Sequence, residues 1–375
     1  MRSKSPSSER SKVKKTKKSN TDGNKIIIES NKGIKIVEDL LSLNTINEIQ
    51  EKIDLIQKDL DLDDQRDRIK DIEDQKYVAL DFFKMYLGKA SASYTAERAK
   101  YYLKSLKKAL SEKRTNKIND INLNQWKNYN DIRTGSLWIS DRRVSPPENL
   151  AWYWGNFIPE IPRQFLMRYT KENDWVLDPF AGSGTTLFEA ARMRRNAIGI
   201  ELNSDVVSKV SAKTKELGTK NGVVTELNHG DAMSLDFRRL LGSYNIKNVQ
   251  IVFLHPPYHN IIRFSEDPQD LSNRSTVDDF LNDLKRIGEK SFDILEKGRF
   301  LVLVIGDKYE SGNLVPLGFL SMNAVMQAGF RIKSIVVKNI ENNKGKRMQE
   351  DLWRFRALVG GFYIFKHEYI FLFQK

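Results

Sequence analysis

The sequence predicts an α/β fold with a mixed, mostly parallel sheet of seven strands, preceded by a helical region. Two observations carry this prediction. From residue 175 onward, short apolar runs typical of buried strands alternate with longer segments in which apolar residues recur every three or four positions. Glycine or polar residues separate most of these segments. Such alternation is typical of parallel strands that helices cover on both faces.

The seven predicted strands are rich in Val, Ile, Leu and Phe, and lie at residues 175–180, 197–202, 223–231, 248–258, 300–307, 330–339 and 362–375. The predicted helices between them lie at residues 185–195, 204–217, 277–295 and 317–329. A further helix, with Pro162 near its first turn, precedes the first strand. No helix is predicted between the last two strands, so we expect them to pair antiparallel.

The first 135 residues have a different character. Residues 1–25 are rich in lysine and serine and nearly devoid of apolar side chains, which predicts a disordered basic tail. Its lysines would either contact a phosphate backbone or stay solvated. Residues 26–135 show helical periodicity at 36–56 and at 94–110, and are predicted to form a helical N-terminal region. The second helix interleaves tyrosines with basic residues, a face that suits either nucleic acid or solvent.

The composition narrows the functional classes. The chain has 62 Lys and Arg against 49 Asp and Glu, a formal charge of +13, which favours nucleic acid as a partner but also fits a merely soluble basic protein. It has no cysteine, which excludes disulfides, thiolate-bound metals and a cysteine nucleophile. Neither a signal peptide nor an apolar run of ~20 residues is recognised, so we expect a cytoplasmic protein.

Residues 178–186, DPFAGSGTT, have the composition of a turn that leaves a buried strand and cradles a nucleotide-like ligand. Gly182 and Gly184 permit backbone angles closed to other residues and a close approach of the ligand. Thr185 opens the following helix, whose amides favour anionic groups. Neither a Walker lysine nor a third glycine at dinucleotide spacing is present, which argues against a nucleoside triphosphate or NAD.

Two acidic residues at later strand ends complete the predicted binding site. Glu201 lies about twenty residues after the glycines, where an acidic side chain typically binds ribose hydroxyls. Asp231 follows the third strand and could accept a hydrogen bond from an adenine amino group. Ligands bind beyond the carboxyl ends of strands in such sheets, so we expect these residues to lie at one edge.

A second motif, LHPPY at residues 254–258, ends another predicted strand. Together with DPFAGSGTT it resembles the motifs of the DNA amino-methyltransferases, which methylate adenine N6 or cytosine N4 with S-adenosylmethionine. The segment GNFIPEIPRQFLMRY resembles the helix that precedes the cofactor loop in that family, and FKHEYIFLFQK resembles its closing strand. The resemblance implies a Rossmann-like class I methyltransferase domain at residues 136–375.

The resemblance also implies roles for individual residues. For S-adenosylmethionine it implies contacts from Phe157, Asp178, Phe180, Gly182, Gly184, Glu201 and Asp231, and the position of Thr185 at the start of the following helix adds this residue to the predicted cofactor site. For catalysis it implies His255, Pro256, Pro257 and Tyr258. The first residue of the tetrapeptide and the carbonyl of the first proline would accept hydrogen bonds from the exocyclic amine, so that its lone pair can attack the methyl sulfonium. The aromatic residue would stack on a base flipped out of the duplex.

His255 departs from the family pattern, in which the first position is usually Asp, Asn or Ser. A neutral imidazole accepts one hydrogen bond, and its unperturbed pKa of ~6.5 predicts that activity falls on acidification through this range. The departure also leaves open a protein that has lost catalysis. Of the other histidines, His259 could contact substrate, whereas His367 fits a structural role in the closing strand. No histidine or carboxylate spacing supports a metal site.

DNA contacts are expected from residues 342–361, between the last two strands, where arginine and aromatic side chains suit phosphate contact and base stacking. The candidates are Lys346, Arg347, Trp353, Arg354 and Arg356. Residues 259–276 are an alternative, as a polar loop over the substrate. Either segment could also be an ordinary surface connection, and the helical N-terminal region could read the target instead.

The sequence therefore predicts a site-specific methyltransferase of double-stranded DNA that uses S-adenosylmethionine and acts on an exocyclic amine, with adenine N6 slightly favoured over cytosine N4. Methylation of cytosine carbon 5 is excluded because it requires a thiolate. A restriction–modification or phage/host modification role is expected, and a restriction partner and the oligomeric state are left open. The alternatives are an RNA amino-methyltransferase and an inactive DNA-binding protein with the same fold.

Overall fold

The computed structural model describes residues 25–62, 68–69, 77–139, 153, 155–340 and 350–375. The predicted basic tail lies outside these residues, apart from Lys25. The chain divides into two compact units, residues 1–113 with 124–128 and residues 114–123 with 129–375. In the described part of the chain, no helix combines the length and the apolar character that crossing a membrane requires.

The first unit combines four helices with a small antiparallel sheet. Its helices are α1 (Ser30–Ser42), α2 (Ile46–Leu62), α3 (Leu80–Ser91) and α4 (Ala96–Ser111). Strand β1 (Lys25–Glu29) pairs with β2 (Arg68–Ile69) and with β3 (Tyr77–Ala79). The helical region that the sequence predicts thus also contains a small sheet that the sequence does not predict. Strands of two to five residues are too short to show a period-two pattern in the sequence.

The helical run predicted at residues 36–56 is divided into α1 and α2 by a capping box. The Thr45 hydroxyl accepts a hydrogen bond from the Glu48 amide at 3.3 Å, and the Glu48 carboxylate accepts one from the Thr45 amide at 3.0 Å. This reciprocal pair satisfies amides that have no partner at the start of a helix. It therefore favours a new helix start at this point of the apolar run.

The second unit contains an eight-stranded sheet and a separate hairpin. Its strands are β4 (Leu137–Trp138), β5 (Trp175–Asp178), β6 (Asn196–Glu201), β7 (Thr225–His229), β8 (Val249–Leu254), β9 (Leu295–Ile305), the hairpin strands β10 (Lys308–Glu310) and β11 (Asn313–Val315), β12 (Arg331–Asn339) and β13 (His367–Gln374). The sheet order is β4-β12-β13-β9-β8-β5-β6-β7. All neighbours run parallel except β13, which is antiparallel to both β12 and β9.

This order is the mixed, Rossmann-like arrangement that the sequence predicts, with one strand more. All seven predicted strands are present. The eighth is β4, in which Leu137 and Trp138 pair with Val337 and Lys338 of β12. The predicted strand number is wrong because a two-residue edge strand carries no alternating pattern.

Helices cover the sheet. They are α5 (Glu160–Tyr169), α6 (Thr185–Arg192), α7 (Ser204–Lys220), α8 (Phe237–Ser243), α9 (Val277–Ile294) and α10 (Leu317–Gln327), and a further helix, α11 (Glu350–Gly360), lies outside this layer. In the central strand β8, Ile251 and Phe253 pack in the core beneath α5, α6 and α7, whereas Val252 and Leu254 pack in the core beneath α8, α9 and α10. Successive side chains of a strand point to opposite faces, so a strand buried on both faces is continuously apolar.

The connection between β12 and β13 contains a helix that the sequence does not predict. The expected antiparallel pairing of these strands is confirmed, but α11 lies between them. Among the described side chains of α11, only Trp353 and Ala357 are half-buried and the others are exposed. Because its apolar residues are not gathered on a face turned to the core, the usual helical pattern is weak here.

Candidate active site

The two sequence motifs lie side by side at one edge of the sheet. The glycine-rich turn follows β5 and the His-Pro-Pro-Tyr segment follows β8, and these two strands are parallel neighbours. The carboxyl ends of parallel strands meet at the same edge, where ligands bind in open α/β sheets. The structure therefore brings together two segments that are separated in the sequence by about seventy residues.

The glycine-rich turn depends on its two glycines. Gly182 has a φ of +51° and Gly184 a φ of +81°, in the left-handed region that other residues rarely adopt. A Cβ on Gly182 would lie 2.8 Å from Cε1 of Tyr153, and a Cβ on Gly184 would lie 3.1 Å from Cγ1 of Val210. The backbone conformation thus favours glycine at both positions, and at Gly182 the surrounding space excludes a side chain as well.

Asp178 ends β5 and is 2% exposed. Its Oδ1 accepts a hydrogen bond from the amide of Phe180 at 3.0 Å. Burial raises the pKa of the Asp178 carboxyl to about 7, against the opposing effects of the Thr186 hydroxyl and the Phe180 amide. Phe180 itself is half-buried, and Thr185, the first residue of α6, is buried. Asp178 therefore titrates near neutral pH beside the glycine-rich turn.

Glu201 ends the neighbouring strand β6. Its Oε2 accepts a hydrogen bond from the Gly182 amide and its Oε1 accepts one from the Asn203 amide, each at 2.9 Å. Burial raises the pKa of Glu201, while these amides act in the opposite direction. An ionised carboxylate can accept about four hydrogen bonds, so Glu201 retains the capacity to bind a ligand hydroxyl.

Asp231 follows β7 and organises the turn after it. Its two carboxylate oxygens accept hydrogen bonds from the amides of Met233 and Ser234, at 2.9 and 3.0 Å. The same turn is held from α9, because Nζ of Lys290 donates to the carbonyls of Ala232 and Met233 at 2.6 and 2.8 Å. Asp231 is half-buried and lies at the same sheet edge as Glu201.

Tyr153 and Phe264 are aromatic residues of this edge that sequence analysis does not single out. Their rings stack with centroids 6.2 Å apart, and the Tyr153 ring lies against Gly182. Burial raises the pKa of Tyr153, with further contributions from the charges of Glu201 and Asp270. The density of aromatic residues just before α5 is the one sequence signal for Tyr153. Phe264 lies within residues 259–276, which the sequence offers as a polar loop over the substrate, but nothing within that loop marks this residue.

Phe157 and His255 connect the cofactor-type residues with the tetrapeptide. Their rings pack with centroids 4.8 Å apart and planes inclined by 49°. Phe157 is 7% exposed, and its neighbour Asn156 accepts a hydrogen bond through Oδ1 from the Ser183 hydroxyl at 2.6 Å. The segment before α5 thus contacts both the glycine-rich turn and the His-Pro-Pro-Tyr segment.

The tetrapeptide leaves β8 with Pro256 buried and His255, Pro257 and Tyr258 half-buried. Burial lowers the pKa of His255 to about 4; the charge of Glu368 raises it and that of Lys338 lowers it. The pKa of about 6.5 that the sequence leads us to expect for His255 is therefore too high. A buried imidazole stays neutral well below that pH.

Tyr258 is fixed on two sides. A Cβ on Gly306 would lie 3.1 Å from Cε2 of the Tyr258 ring, and the Tyr258 hydroxyl donates to Oε2 of Glu368 at 2.9 Å. Burial, followed by the charge of Glu368, raises the pKa of Tyr258. Glu368 in turn accepts a hydrogen bond from Lys338. Sequence analysis misses Lys338 and Glu368; Glu368 is the one acidic residue of a mostly apolar and aromatic strand, whereas Lys338 is one of three basic residues in β12 and carries no comparable signal.

A comparison with protein families decides the family of this chain. A family model described as DNA methylase matches residues 12–213, more than half of the chain. The chain belongs to the DNA methylase family. A second family model, described as conserved hypothetical protein 95, matches residues 164–279.

Individual relatives of this DNA methylase match over shorter segments. They are the type II methyltransferases M.MthZI of Methanothermobacter thermautotrophicus (33% identity, 25% of this chain and 25% of the relative), M2.DpnII of Streptococcus pneumoniae (34%, 25% and 33%) and M.HindIII of Haemophilus influenzae (57%, 10% and 12%). Each match thus spans a third or less of the relative. The solved structure of TrmN from Thermus thermophilus is a distant likeness, with 15% identity and a TM-score of 0.35 over 59% of this chain and 50% of its own.

The remaining histidines of this DNA methylase have structural partners. His259 is 1% exposed, with Nε2 2.8 Å from the Arg274 carbonyl and Nδ1 2.7 Å from Nζ of Lys308. Its position leaves the ring no exposed surface for the substrate contact that the sequence suggests. Nε2 of His229 lies 3.0 Å from the Leu202 carbonyl. Among the described residues, no cluster of three acidic or histidine side chains could hold a metal ion.

The candidate DNA-contacting residues are only partly described. Lys346 and Arg347 lie outside the described residues. Trp353, Arg354 and Arg356 lie on α11, where the two arginines are exposed and Trp353 is half-buried. The guanidinium of Arg356 lies 5.3 Å from the centroid of the Trp353 ring. These three residues therefore share a short exposed helix of this DNA methylase.

Proposed function

We propose that this member of the DNA methylase family transfers a methyl group from S-adenosylmethionine to an exocyclic amine of a base in DNA. The observation that carries the proposal is the contact between Phe157 and His255, which joins a cofactor-type glycine-rich turn to a His-Pro-Pro-Tyr segment at one sheet edge. The family and the type II methyltransferases among its relatives support the same activity.

The proposed cofactor residues share the sheet edge described above and are Phe157, Asp178, Phe180, Gly182, Gly184, Thr185, Glu201 and Asp231. They fit S-adenosylmethionine because the open glycine backbone admits a ligand while the acidic side chains suit its hydroxyl and cationic groups. Asp178 suits a cation best, since a nearby positive charge would favour the ionised form that burial disfavours. When bound, S-adenosylmethionine supplies an electrophilic methyl group on a sulfonium.

The proposed catalytic residues act on the amine. Neutral His255 would accept one hydrogen bond from the exocyclic nitrogen, and the main-chain carbonyl of Pro256 would accept a second. These two bonds orient the nitrogen so that its lone pair faces the methyl group. Pro257 restricts the backbone between them and Tyr258, whose partly exposed ring would stack on a base flipped out of the duplex. The N–C bond would form as the S–C bond of the cofactor breaks, the neutral thioether would leave, and the methylated amine would lose one of its protons to solvent. No covalent enzyme intermediate is needed, in keeping with a chain that lacks cysteine.

The DNA substrate and the biological role form the finer part of the proposal. We take adenine N6 as the first target to test and cytosine N4 as the second, in double-stranded DNA. The exposed residues Trp353, Arg354 and Arg356 of α11, with Lys346 and Arg347, would contact the duplex. The type II names of the relatives favour a modification role beside a restriction enzyme.

The decisive experiment incubates the full chain with unmethylated DNA and methyl-labelled S-adenosylmethionine, then digests the DNA and identifies the labelled nucleoside by mass spectrometry. Labelled N6-methyladenine or N4-methylcytosine supports the proposal, and the absence of both overturns it. His255→Phe is the matched variant, because it keeps a ring against Phe157 but removes the acceptor. Competing RNA in the same assay tests the RNA alternative, and calorimetry that shows cofactor binding without turnover would point to an inactive DNA-binding protein.

A further inference from the structure

A buried ion pair lies behind the His-Pro-Pro-Tyr segment. Lys338 of β12 and Glu368 of β13 are direct partners across the sheet, and Nζ of Lys338 donates to Oε1 of Glu368 at 2.9 Å. The two residues are 6% and 8% exposed. Burying two charges carries a desolvation cost that their attraction often does not recover. A pair at this position is therefore poorly explained by stability alone.

The second oxygen of Glu368 faces the tetrapeptide. Oε2 accepts a hydrogen bond from the Tyr258 hydroxyl at 2.9 Å. Beside the ammonium group of Lys338, Glu368 is a carboxylate, and a carboxylate only accepts hydrogen bonds. The single hydrogen of the Tyr258 hydroxyl is therefore directed at Glu368.

The Tyr258 oxygen also lies 3.5 Å from Nε2 of His255. Since its hydrogen is directed at Glu368, this oxygen presents a lone pair to the imidazole. A lone pair at that position favours a hydrogen on Nε2, and in a neutral imidazole Nδ1 then carries the free lone pair. None of the residues that the structure describes forms a hydrogen bond with Nδ1.

We propose that Lys338 and Glu368 are positioning residues, which act through Tyr258 to hold His255 as the Nε2–H tautomer. In that tautomer Nδ1 is the nitrogen that accepts a hydrogen bond from the exocyclic amine. The identity of the amine rests on the proposed function, whereas the tautomer is a property of the protein alone. The Lys338–Glu368 ion pair would thus fix which ring nitrogen of His255 is the hydrogen-bond acceptor.

A matched arrangement involves the two residues on either side of Glu368 in β13, whose side chains point to the opposite face of the strand. The Tyr369 hydroxyl donates to Oδ2 of Asp307 at 3.2 Å, and Nε2 of His367 lies 3.1 Å from the same hydroxyl oxygen. This second set, His367 with Tyr369 and Asp307, contains none of the proposed catalytic residues. It provides an internal control, because a change in one set should leave the histidine of the other unaffected.

The test substitutes Glu368→Gln in the full chain. The carboxamide is expected to keep its carbonyl toward Lys338 and to turn its NH₂ group toward the Tyr258 oxygen. The Tyr258 hydroxyl then directs its hydrogen at Nε2 of His255, so the tautomer inverts and the hydrogen moves to Nδ1. Proton–nitrogen correlation spectra of protein labelled in its histidine rings distinguish protonated from unprotonated ring nitrogens. The His255 signals are assigned by their loss in His255→Asn.

The expected result is an unprotonated Nδ1 of His255 in the wild type and an unprotonated Nε2 in Glu368→Gln, with the His367 signals unchanged. The control Asp307→Asn should alter only His367. With DNA and cofactor, kcat of Glu368→Gln is expected to fall by about 10²-fold, the size of effect seen when one oriented hydrogen bond is lost at a reacting centre. Affinity for S-adenosylmethionine should not change.

An unchanged protonation pattern of His255 in Glu368→Gln overturns the proposal. If that variant does not fold, Tyr258→Phe provides the second measurement, since it removes the oxygen that faces Nε2. The Nε2 proton of His255 should then lose its hydrogen-bonded chemical shift, and an unchanged shift overturns the proposal equally. An inverted tautomer in a protein that methylates neither DNA base leaves this inference standing and refutes the proposed function. If the protein methylates DNA but the tautomer of His255 is not inverted in Glu368→Gln, the proposed function stands and this inference is refuted.

Discussion

The carboxylate of Glu201 accepts a hydrogen bond from the main-chain amide of Gly182 at 2.9 Å, across 19 positions of sequence. Its other oxygen accepts one from the Asn203 amide, also at 2.9 Å. A single acidic side chain therefore holds the glycine-rich turn against the end of β6. The shape of the turn and the acidic group offered to a ligand depend on the same residue.

Glu201→Ala is expected to weaken S-adenosylmethionine binding by roughly 10-fold or more, because it removes hydrogen bonds to a charged group that are worth about 1.5–3 kcal/mol each. Glu201→Gln, which keeps one carbonyl acceptor, should lose less. Calorimetric titration measures both. The control is Glu226→Ala on the next strand, where the carboxylate accepts from the Tyr244 hydroxyl at 2.9 Å. Equal affinities in all three variants would contradict the prediction.

Asp178 should make cofactor binding depend on pH. Its pKa is raised to about 7, so at pH 6 most of the protein carries a protonated Asp178. A cationic ligand favours the ionised form, so binding should release a proton and affinity should rise as the pH increases from 6 to 8. Calorimetry in two buffers of different ionisation enthalpy measures that proton. Asp178→Asn should abolish the proton release, and a wild type with no release at pH 7 would refute the linkage.

Gly182→Ala tests how closely the Tyr153 ring packs against the glycine-rich turn. The left-handed conformation costs a non-glycine residue about 1–2 kcal/mol, and here the new Cβ would also lie 2.8 Å from the Tyr153 ring. Gly222→Ala is a matched control, because Gly222 has a φ of +74° but no atom within 4 Å of a new Cβ. Urea unfolding should show the larger loss for Gly182→Ala. Only that variant should bind the cofactor more weakly, and equal losses in both would argue against a role for Tyr153.

The methylation rate should stay constant to lower pH than an ordinary histidine would allow. Because burial places the pKa of His255 at about 4, the ring keeps its lone pair at pH 5.5 and loses it only as the pH falls through about 4. The measurement is the single-turnover rate of the wild type divided by that of His255→Asn, whose side chain does not titrate. A flat ratio from pH 8 to 5.5 is expected. A fall centred near pH 6.5 would show that His255 is solvated in the working enzyme.

Arg354 and Arg356 are expected to contribute charge to DNA binding. Replacing both with alanine should weaken binding to all sequences and lower the slope of log affinity against log salt by about 1 to 2, since each phosphate contact contributes about 0.9. Fluorescence anisotropy with a labelled duplex at several salt concentrations measures the slope. The control replaces Lys213 and Lys220, two exposed lysines of α7. If both pairs lower the slope equally, α11 has no special role.

Much of the sheet is predictable because its signals are local. The strand runs, the two glycines and the alternation of strands with helices depend on periodicity and turn chemistry within about ten residues. The two elements that the sequence does not predict, β4 and α11, also have a physical explanation. The strand β4 is two residues long, and α11 turns few apolar side chains to the core, so neither has the pattern that marks its kind of element. The antiparallel pairing of β12 with β13 is predicted correctly. The prediction rests on the absence of a helix between these strands, which is wrong because α11 lies there.

The sequence by itself determined the fold class and the two motifs, and it predicted that these motifs lie at the carboxyl ends of neighbouring strands, since each follows from a short stretch of chain. Only the tertiary structure decided how the tetrapeptide is held. Tyr258 and Glu368 are 110 positions apart, and Lys338 reaches Glu368 only because β12 and β13 pair in that register. The lowered pKa of His255 likewise comes from burial, which is a property of packing and is absent from the local sequence.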